Sequence, residues 1–354
     1  MWITSSLDTV LTPTTIALGN FDGIHRGHLQ VIKPILKEPG ASQAIAATPS
    51  PENQLHQCES IGAGNLRENL ESNASTEAGH TYTTVVTFNP HPREFFSGKT
   101  WKLLTPPEEK VQQLSRLGVE QLVRLPFDEK LASLSPQQFV EKILVQQLQA
   151  TQVSVGQDFH FGHRRTGTSS DLQAIASTYG VDVTIVSLHT CQGERISSSL
   201  IRQFLQQGDV TQANQLLGRP YILTGVVVKG QQLGRTIGFP TANLQLPPEK
   251  FLPRQGVYGV RVYSPSLESA TSSVFGVMNI GQRPTVNGTT MTVEVHLLDW
   301  SGDLYDQTLT VSLEQFLRPE QKFASLEALK TQIHADCVQA RAFLERQARL
   351  KNGD

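Results

Sequence analysis

Three cysteines in 354 residues (Cys58, Cys191 and Cys337) are too few and too scattered for a disulfide framework, and no CxxC spacing suggests a metal or redox site. They read as free thiols in a reducing compartment. Long apolar runs are also missing. No stretch approaches the ~20 residues that a membrane-spanning helix needs, and the first residues show no basic-then-apolar leader pattern. Charge bias is equally absent: 30 Lys and Arg against 32 Asp and Glu leave a formal −2. Bulk charge therefore offers nothing to nucleic acid or to an anionic membrane surface. No internal repeat is present. The chain is expected to be cytoplasmic and long enough for about two domains at ~150 residues each. Each domain can bury a core without covalent staples. Assembly into a homo-oligomer is compatible with all of this.

Against that background one stretch stands out: GNFDGIHRGH, residues 19–28. It follows a short β-prone run (14–18) and precedes a helical segment (29–37). From 38 to 81 the sequence is rich in Pro, Ser, Asn, Glu, Gly and Ala and poor in large apolar residues, which predicts a flexible insertion. Strands are then expected at 82–88, 121–125, 152–155 and 181–186. Helices are expected at 106–117, 136–148 (capped by Ser135) and 170–179. Strands separated by helices imply a parallel sheet with right-handed crossovers. Such sheets bind ligands at the carboxyl ends of their strands, where the polar motifs after Leu18, Phe88 and Val155 all lie.

A further helical stretch is expected at 193–218, and Arg219–Pro220 marks a boundary. Beyond it the periodicity switches to two. Six strand candidates, YILTGVVV, TANLQL, GVYGVRVY, SSVFGVMNI, MTVEVHLL and QTLTVSL, predict a small antiparallel barrel. One amphipathic helix closes the chain. Ser325 is its expected cap, and Leu326, Leu329, Ile333, Cys337, Ala340 and Leu344 share the face expected to pack on the barrel.

Several motifs carry chemistry. In His25-Arg26-Gly27-His28, a helix start with two imidazoles and a small residue suits an anion such as phosphate. Two ordinary polar histidines are the plainer reading. Asn20, Asp22 and Gly23 form a tight polar turn before them. ISSSLIR (196–202) places Ser197, Ser198 and Ser199 at a helix start with Arg202 one turn on, a phosphate clamp rather than a single cap. VGQDFHFG (155–162) offers the Asp158 carboxylate and the flat faces of Phe159 and Phe161, which otherwise pack in a core. His91 in NPHP is an orienting donor or a turn residue. In GQQLGRTIGFPTANL (230–244), Gly230, Gly234 and Gly238 form a pliable loop with Arg235, able to cover phosphates. Thr241 and Asn243 then supply hard oxygen donors suited to Mg²⁺; a glycine turn before a polar strand start explains the same residues. Glu294 is a solvated strand carboxylate or a base for a hydroxyl. Arg283 sits in a Gly/Pro segment, NIGQRPT, that reads as a loop over a ring.

The set GNFDGIHRGH, TFNPHP, VGQDFHFG and ISSSLIR resembles the adenylyltransferase module of bacterial bifunctional riboflavin kinase/FAD synthetases. GRTIGFPTANL, GVYGV, NIGQRPT and VEVHLLDWSGDLY resemble the kinase module of the same family. The resemblance implies a Rossmann-like α/β HxGH nucleotidyltransferase domain (1–218). A six-stranded antiparallel β-barrel domain with a C-terminal helix would follow (219–354). It implies that His25 and His28 contact ATP phosphates and that 197–202 closes over them. Gly19, Asn20, Phe21 and Gly23 would lie against the nucleotide, and Asp158 and Phe159 near the flavin. In the second module, Gly230, Gly234, Arg235, Gly238, Thr241 and Asn243 would bind ATP with Mg²⁺. Glu294 would be the general base for riboflavin, and Arg283 would lie on the flavin side. The implied substrates are ATP, riboflavin and FMN, and FAD is the final product. A chain with kinase activity alone, its first module a non-catalytic binding partner, is the competing reading.

Overall fold

A computed structural model describes residues 1–37, 80–188, 190–191, 194–230, 233–265, 267, 273–285 and 288–352. Cys58 and the insertion expected at 38–81, up to residue 79, lie outside the described residues. The chain forms two compact units that part between Ser198 and Ser199.

The first unit contains strands β1 (Trp2–Thr4), β2 (Thr14–Leu18), β3 (Tyr82–Asn89), β4 (Gln121–Pro126) and β5 (Ala150–Gly156). After these come the short β6 (His160–Phe161) and β7 (Gly167–Thr168), then β8 (Asp182–Val186), and the short β9 (Thr190–Cys191) and β10 (Glu194–Arg195). Its helices are α1 (Arg26–Ile32), α2 (Pro92–Ser97), α3 (Pro107–Arg116), α4 (Glu129–Ala132), α5 (Pro136–Gln138) and α6 (Ser169–Ser177). Ser135 caps α5 as expected, in a reciprocal capping box with Gln138, but the helix continues over Phe139–Gln147 as a π-helix. The main sheet has the order β1-β4-β3-β2-β5-β8, and every neighbouring pair is parallel. Successive residues alternate between its faces. Ile16, Leu18, Val86, Val123 and Val153 face the layer of Phe139, Leu144 and Leu172. Ala17, Val85 and Leu122 face Ile32, Ile35 and Leu114. The chain leaves β2 for β3 on one side and later returns to β5 on the other. The residues after Leu18 therefore emerge at the switch point of the sheet, where open α/β folds take ligands.

The second unit contains α7 (Ser198–Gln207, whose first residue belongs to the first unit), α8 (Val210–Leu217), β11 (Tyr221–Val228), α9 (Leu233–Thr236), β12 (Ala242–Gln245) and β13 (Gly256–Tyr263). It continues with β14 (Val274–Thr285), β15 (Gly288–Leu297), β16 (Thr308–Arg318) and α10 (Leu326–Asn352). The six strands close into a barrel in the order β11-β12-β15-β14-β13-β16, with antiparallel neighbours. Met278, Ile280, Val293, Val295, Val311 and Leu313 are among its buried residues. The single stretch expected at 193–218 is instead β10 and two helices, and α8 is tied to the barrel: Asn214 donates to the Leu313 carbonyl (2.9 Å) and accepts from the Tyr221 N–H (2.7 Å). Packing thus places residues 199–218 with the barrel, ahead of the boundary expected at 218/219.

Ser325 caps α10 through the Ala328 N–H (3.2 Å), and Ala340 and Leu344 are buried. Leu326, expected on the packing face, is 54% exposed at the first position of the helix. A buried ion pair fixes the helix. Asp336 accepts from Arg318 Nε (2.9 Å) and Nη2 (2.8 Å) and from Gln332 Nε2 (2.9 Å). Removing one partner leaves an uncompensated buried charge. Asp336→Ala is therefore expected to destabilise the barrel unit by about 3–5 kcal/mol, read from its thermal or denaturant unfolding.

Candidate active sites

The turn between β2 and α1 is built from both apolar and polar residues. Phe21 (φ 46°) and Ile24 (φ 41°) both adopt left-handed backbone, which costs of order 1–3 kcal/mol each. Both side chains are buried in the core beneath the turn, a gain of about 1.5–3 kcal/mol each that offsets the strain. The turn is therefore held open by its own anchors, leaving Asn20 exposed at its tip. Asp22 is buried; its carboxylate accepts from the Thr105 N–H (3.2 Å) and its carbonyl from Ser198 Oγ (2.7 Å).

His25 caps α1: its Nδ1 accepts from the His28 N–H at 3.2 Å. The neutral ring consequently carries its proton on Nε2. The two imidazoles stack, with centroids 3.6 Å apart and planes at 14°, and Phe21 meets His28 edge-on at 5.3 Å. Gly27 permits this stack, since a Cβ there would lie 3.2 Å from two atoms of the His25 ring. Burial, then the neighbouring His25 and Lys110, hold His28 well below the usual imidazole range. His28 is thus a neutral donor rather than a fixed cation near neutral pH. The unfolded chain protonates this group near 6.5 and the folded one only at lower pH. The unfolded state therefore binds more protons in that window, and stability falls as pH drops below about 6.5. An NMR titration of the His28 ring protons is expected to show a midpoint well below 6.5.

The backbone of 196–198 lies against this turn: the Ile196 carbonyl is 3.9 Å from where a Gly27 Cβ would stand, and Ser198 bonds Asp22 as above. Ser198 opens α7 as expected. Ser199 and Arg202 belong to the second unit, where the Arg202 guanidinium lies over Phe251 at 5.5 Å. Asp158, after β5, pairs with Arg195 on β10, a partner that the sequence did not single out. Phe159 stacks on Phe161, which is buried in the core layer, so core packing describes this pair better than an open wall. His91 caps α2 through the Arg93 N–H (3.1 Å) and stacks on Trp101. Beside it, Phe88, Phe95, Phe96 and Phe127 form a chain of edge-to-face contacts at the carboxyl ends of β3 and β4, and Phe96 is 70% exposed. This aromatic surface was not anticipated, because NPHPREFF carries no period that separates an outward ring from a core one. Lys110 was likewise missed; its Nζ donates to the Asn20 carbonyl at 2.9 Å.

In the second unit, the register brings the expected residues into one row. Asn243 on β12 and Asn279 on β14 are both paired with Glu294 on β15. Thr241, just before β12, donates to Glu294 Oε2 at 3.4 Å. Val293, Val295 and Leu297 are buried and alternate with the less buried Glu294 and His296, while Leu298, past the strand end, packs near Ala340. His296 Nδ1 donates to the Pro240 carbonyl (2.8 Å), which pins the segment carrying Thr241. Gly230 lies flat on the Asn243 amide: a Cβ there would stand 2.4 Å from its nitrogen and 2.7 Å from its oxygen. The stretch expected as a pliable loop contains the short helix α9, with Gly234 and the exposed Arg235 on it and Gly238 (φ 90°) in the turn that follows. Arg283 is not in a loop. It is on β14, paired with Thr290, because the hairpin continues to Thr285 opposite Gly288.

Two family models match the chain: FAD synthetase over 8–59 and 65–200, and riboflavin kinase over 217–344. A bifunctional riboflavin kinase/FMN adenylyltransferase of Pseudomonas fluorescens is 40% identical over 326 residues, 92% of this chain and 91% of that protein. The chain belongs to that family. An Escherichia coli (strain K12) member of the same name is 37% identical over 329 residues, 93% of this chain and 92% of its own. A crystal structure described as a macrolide-efflux protein from Streptococcus pneumoniae matches with a TM-score of 0.74 at 28% identity, covering 96% of this chain and 98% of that one. Among the described residues no helix is long and apolar enough to cross a membrane. Both halves of the family's name thus have a matching segment here, one around the stacked histidines and one around Glu294.

Proposed function

We propose that this chain phosphorylates riboflavin to FMN and then adenylylates FMN to FAD, each step consuming one ATP. The observation that carries the reading is that each family segment holds its own polar constellation: His25 stacked on His28 at the sheet's switch point, and Thr241, Asn243 and Glu294 in one barrel row. A module kept only for binding has no need of both.

In the kinase step, the Glu294 carboxylate accepts the proton of the terminal ribityl hydroxyl. The freed oxygen attacks the γ-phosphorus of ATP, and ADP leaves. Thr241 Oγ1 and the Asn243 amide oxygen form a hard donor set that fits Mg²⁺ arriving with the nucleotide, an ion that would neutralise phosphate charge. Gly230, Gly234, Arg235 and Gly238 lie along the nucleotide, and Arg283 lies on the flavin side. In the adenylyl step, an FMN phosphate oxygen attacks the α-phosphorus of ATP and pyrophosphate leaves. The attacking group is already anionic, so positioning and charge stabilisation carry the reaction. His25, through Nε2–H, and His28 donate to phosphate oxygens. Gly19, Asn20, Phe21 and Gly23 frame the nucleotide, and Ser197 and Ser198 close on its phosphates. Asp158 lies near the flavin. The exposed rings around Phe96 suit an isoalloxazine better than the core-packed Phe159 does. The scattered cysteines and the use of ATP fit a cytoplasmic protein.

FMN supplied with ATP and Mg²⁺, in the absence of riboflavin, is expected to give FAD and pyrophosphate in equal amounts. Failure to form FAD while riboflavin is still phosphorylated would favour the kinase-only reading.

A further inference from the structure

The adenylyl-transfer reading uses nothing from α3, yet α3 sets a lysine beneath the Gly19–His28 turn. Lys110 is only 9% exposed. Its Nζ donates to the Asn20 carbonyl at 2.9 Å, and Thr87 Oγ1 on β3 donates to the same oxygen at 3.0 Å. Two donors on one carbonyl fix the plane of the Asn20–Phe21 peptide. That bond is trans, so the Phe21 N–H points the opposite way, away from Lys110. Charged and titratable groups face the ammonium from three other elements: Asp22 in the turn, Arg124 on β4 and His28 on α1. Asp22 attracts it and Arg124 opposes it, while His28, neutral in this range, adds no charge. If the position served support alone, an apolar side chain of similar length would fill it without the cost of burying a charge.

We infer that Lys110 is a positioning residue for adenylyl transfer: its ammonium holds down the Asn20 carbonyl, aims the Phe21 N–H at the nucleotide phosphates, and adds positive potential beneath them. The inference rests on the first unit being an FMN adenylyltransferase. Phosphates are the chemistry that a fixed N–H over a buried cation recognises. Burial also makes this cation conditional. Desolvation, opposed by Asp22 and reinforced by Arg124, brings Lys110 down to about 8 from its ordinary 10.5. Below that pH the ammonium is present; above it the group is a neutral amine, and the potential under the phosphates is gone. Adenylyl transfer is therefore expected to decline as pH rises through this value.

The test follows both reactions on the full chain from about pH 6 to about pH 10. For the wild type, kcat for FMN-to-FAD conversion is expected to fall with a midpoint near pH 8, while riboflavin phosphorylation shows no such limb. Lys110→Arg keeps its charge throughout, so its decline should move up by more than about one pH unit. Lys110→Met should lose about 10²-fold in kcat, the usual penalty for a misplaced site, and should lack the limb. The inference is overturned if Lys110→Arg declines at the wild-type pH, or if Lys110→Met keeps the wild-type rate and profile. Should Lys110→Met fail to fold, the Arg variant decides alone. A wild-type chain that makes no FAD would overturn the adenylyltransferase reading itself; FAD formation with an unmoved limb overturns only the role of Lys110.

Discussion

Glu294→Gln is expected to cut riboflavin phosphorylation by about 10²–10⁴-fold, the usual share of a general base. FMN-to-FAD conversion on the same chain should stay at the wild-type rate. The substitution is nearly isosteric and removes only proton affinity. Its amide oxygen can still accept from Thr241, which approaches Glu294 Oε2 at 3.4 Å in the native row. The Asn243 and Asn279 neighbours in register are untouched. The loss should therefore appear in kcat, with KM for ATP close to that of the parent. A loss confined to KM would make Glu294 a binding residue instead.

The reverse pattern is expected for His28→Ala. Removing one preorganised donor from a phosphate-stabilising site costs about 10²–10³-fold, so FAD formation should fall by that factor with kinase activity preserved. His28 serves twice here. It is a donor toward the ligand, and its ring is the surface on which His25 stacks at 3.6 Å. Loss of the ring also frees the edge-on contact with Phe21. Some of the effect therefore comes through a looser His25. Joint loss of both activities in either variant would contradict two separate sites.

The parts of this molecule that were legible in the sequence are those whose chemistry is local. The strand-to-helix turn carries its glycines and two imidazoles within ten residues, so the Gly19–His28 stretch was legible as one unit, and His25 and His28 do meet in it. The barrel row was legible for a similar reason: period-two alternation puts Glu294 and His296 on one face wherever the strand goes. What escaped depended on contacts made across the chain. Lys110 lies in a helix with the ordinary pattern of a surface segment, and only packing against β3 and the turn buries it. Arg195 meets Asp158 across 37 residues. Arg283 was misread because Gly and Pro normally end a strand, whereas here the β14–β15 hairpin carries the pairing through Pro284 to Thr285. Arg219–Pro220 is a local break, but it is Asn214, bonded to β16 and to Tyr221, that assigns the preceding helices to the barrel. Phe159 and Phe161 read as either wall or core until their stack in the buried layer was seen.

The measurement that bears most directly on the account is a time course of the purified full chain with riboflavin, ATP and Mg²⁺, with the flavins resolved by chromatography. FMN should appear first, and FAD should then rise at its expense. Accumulation of FMN with no FAD at any time, or riboflavin left unphosphorylated, would contradict an enzyme with two working sites in sequence.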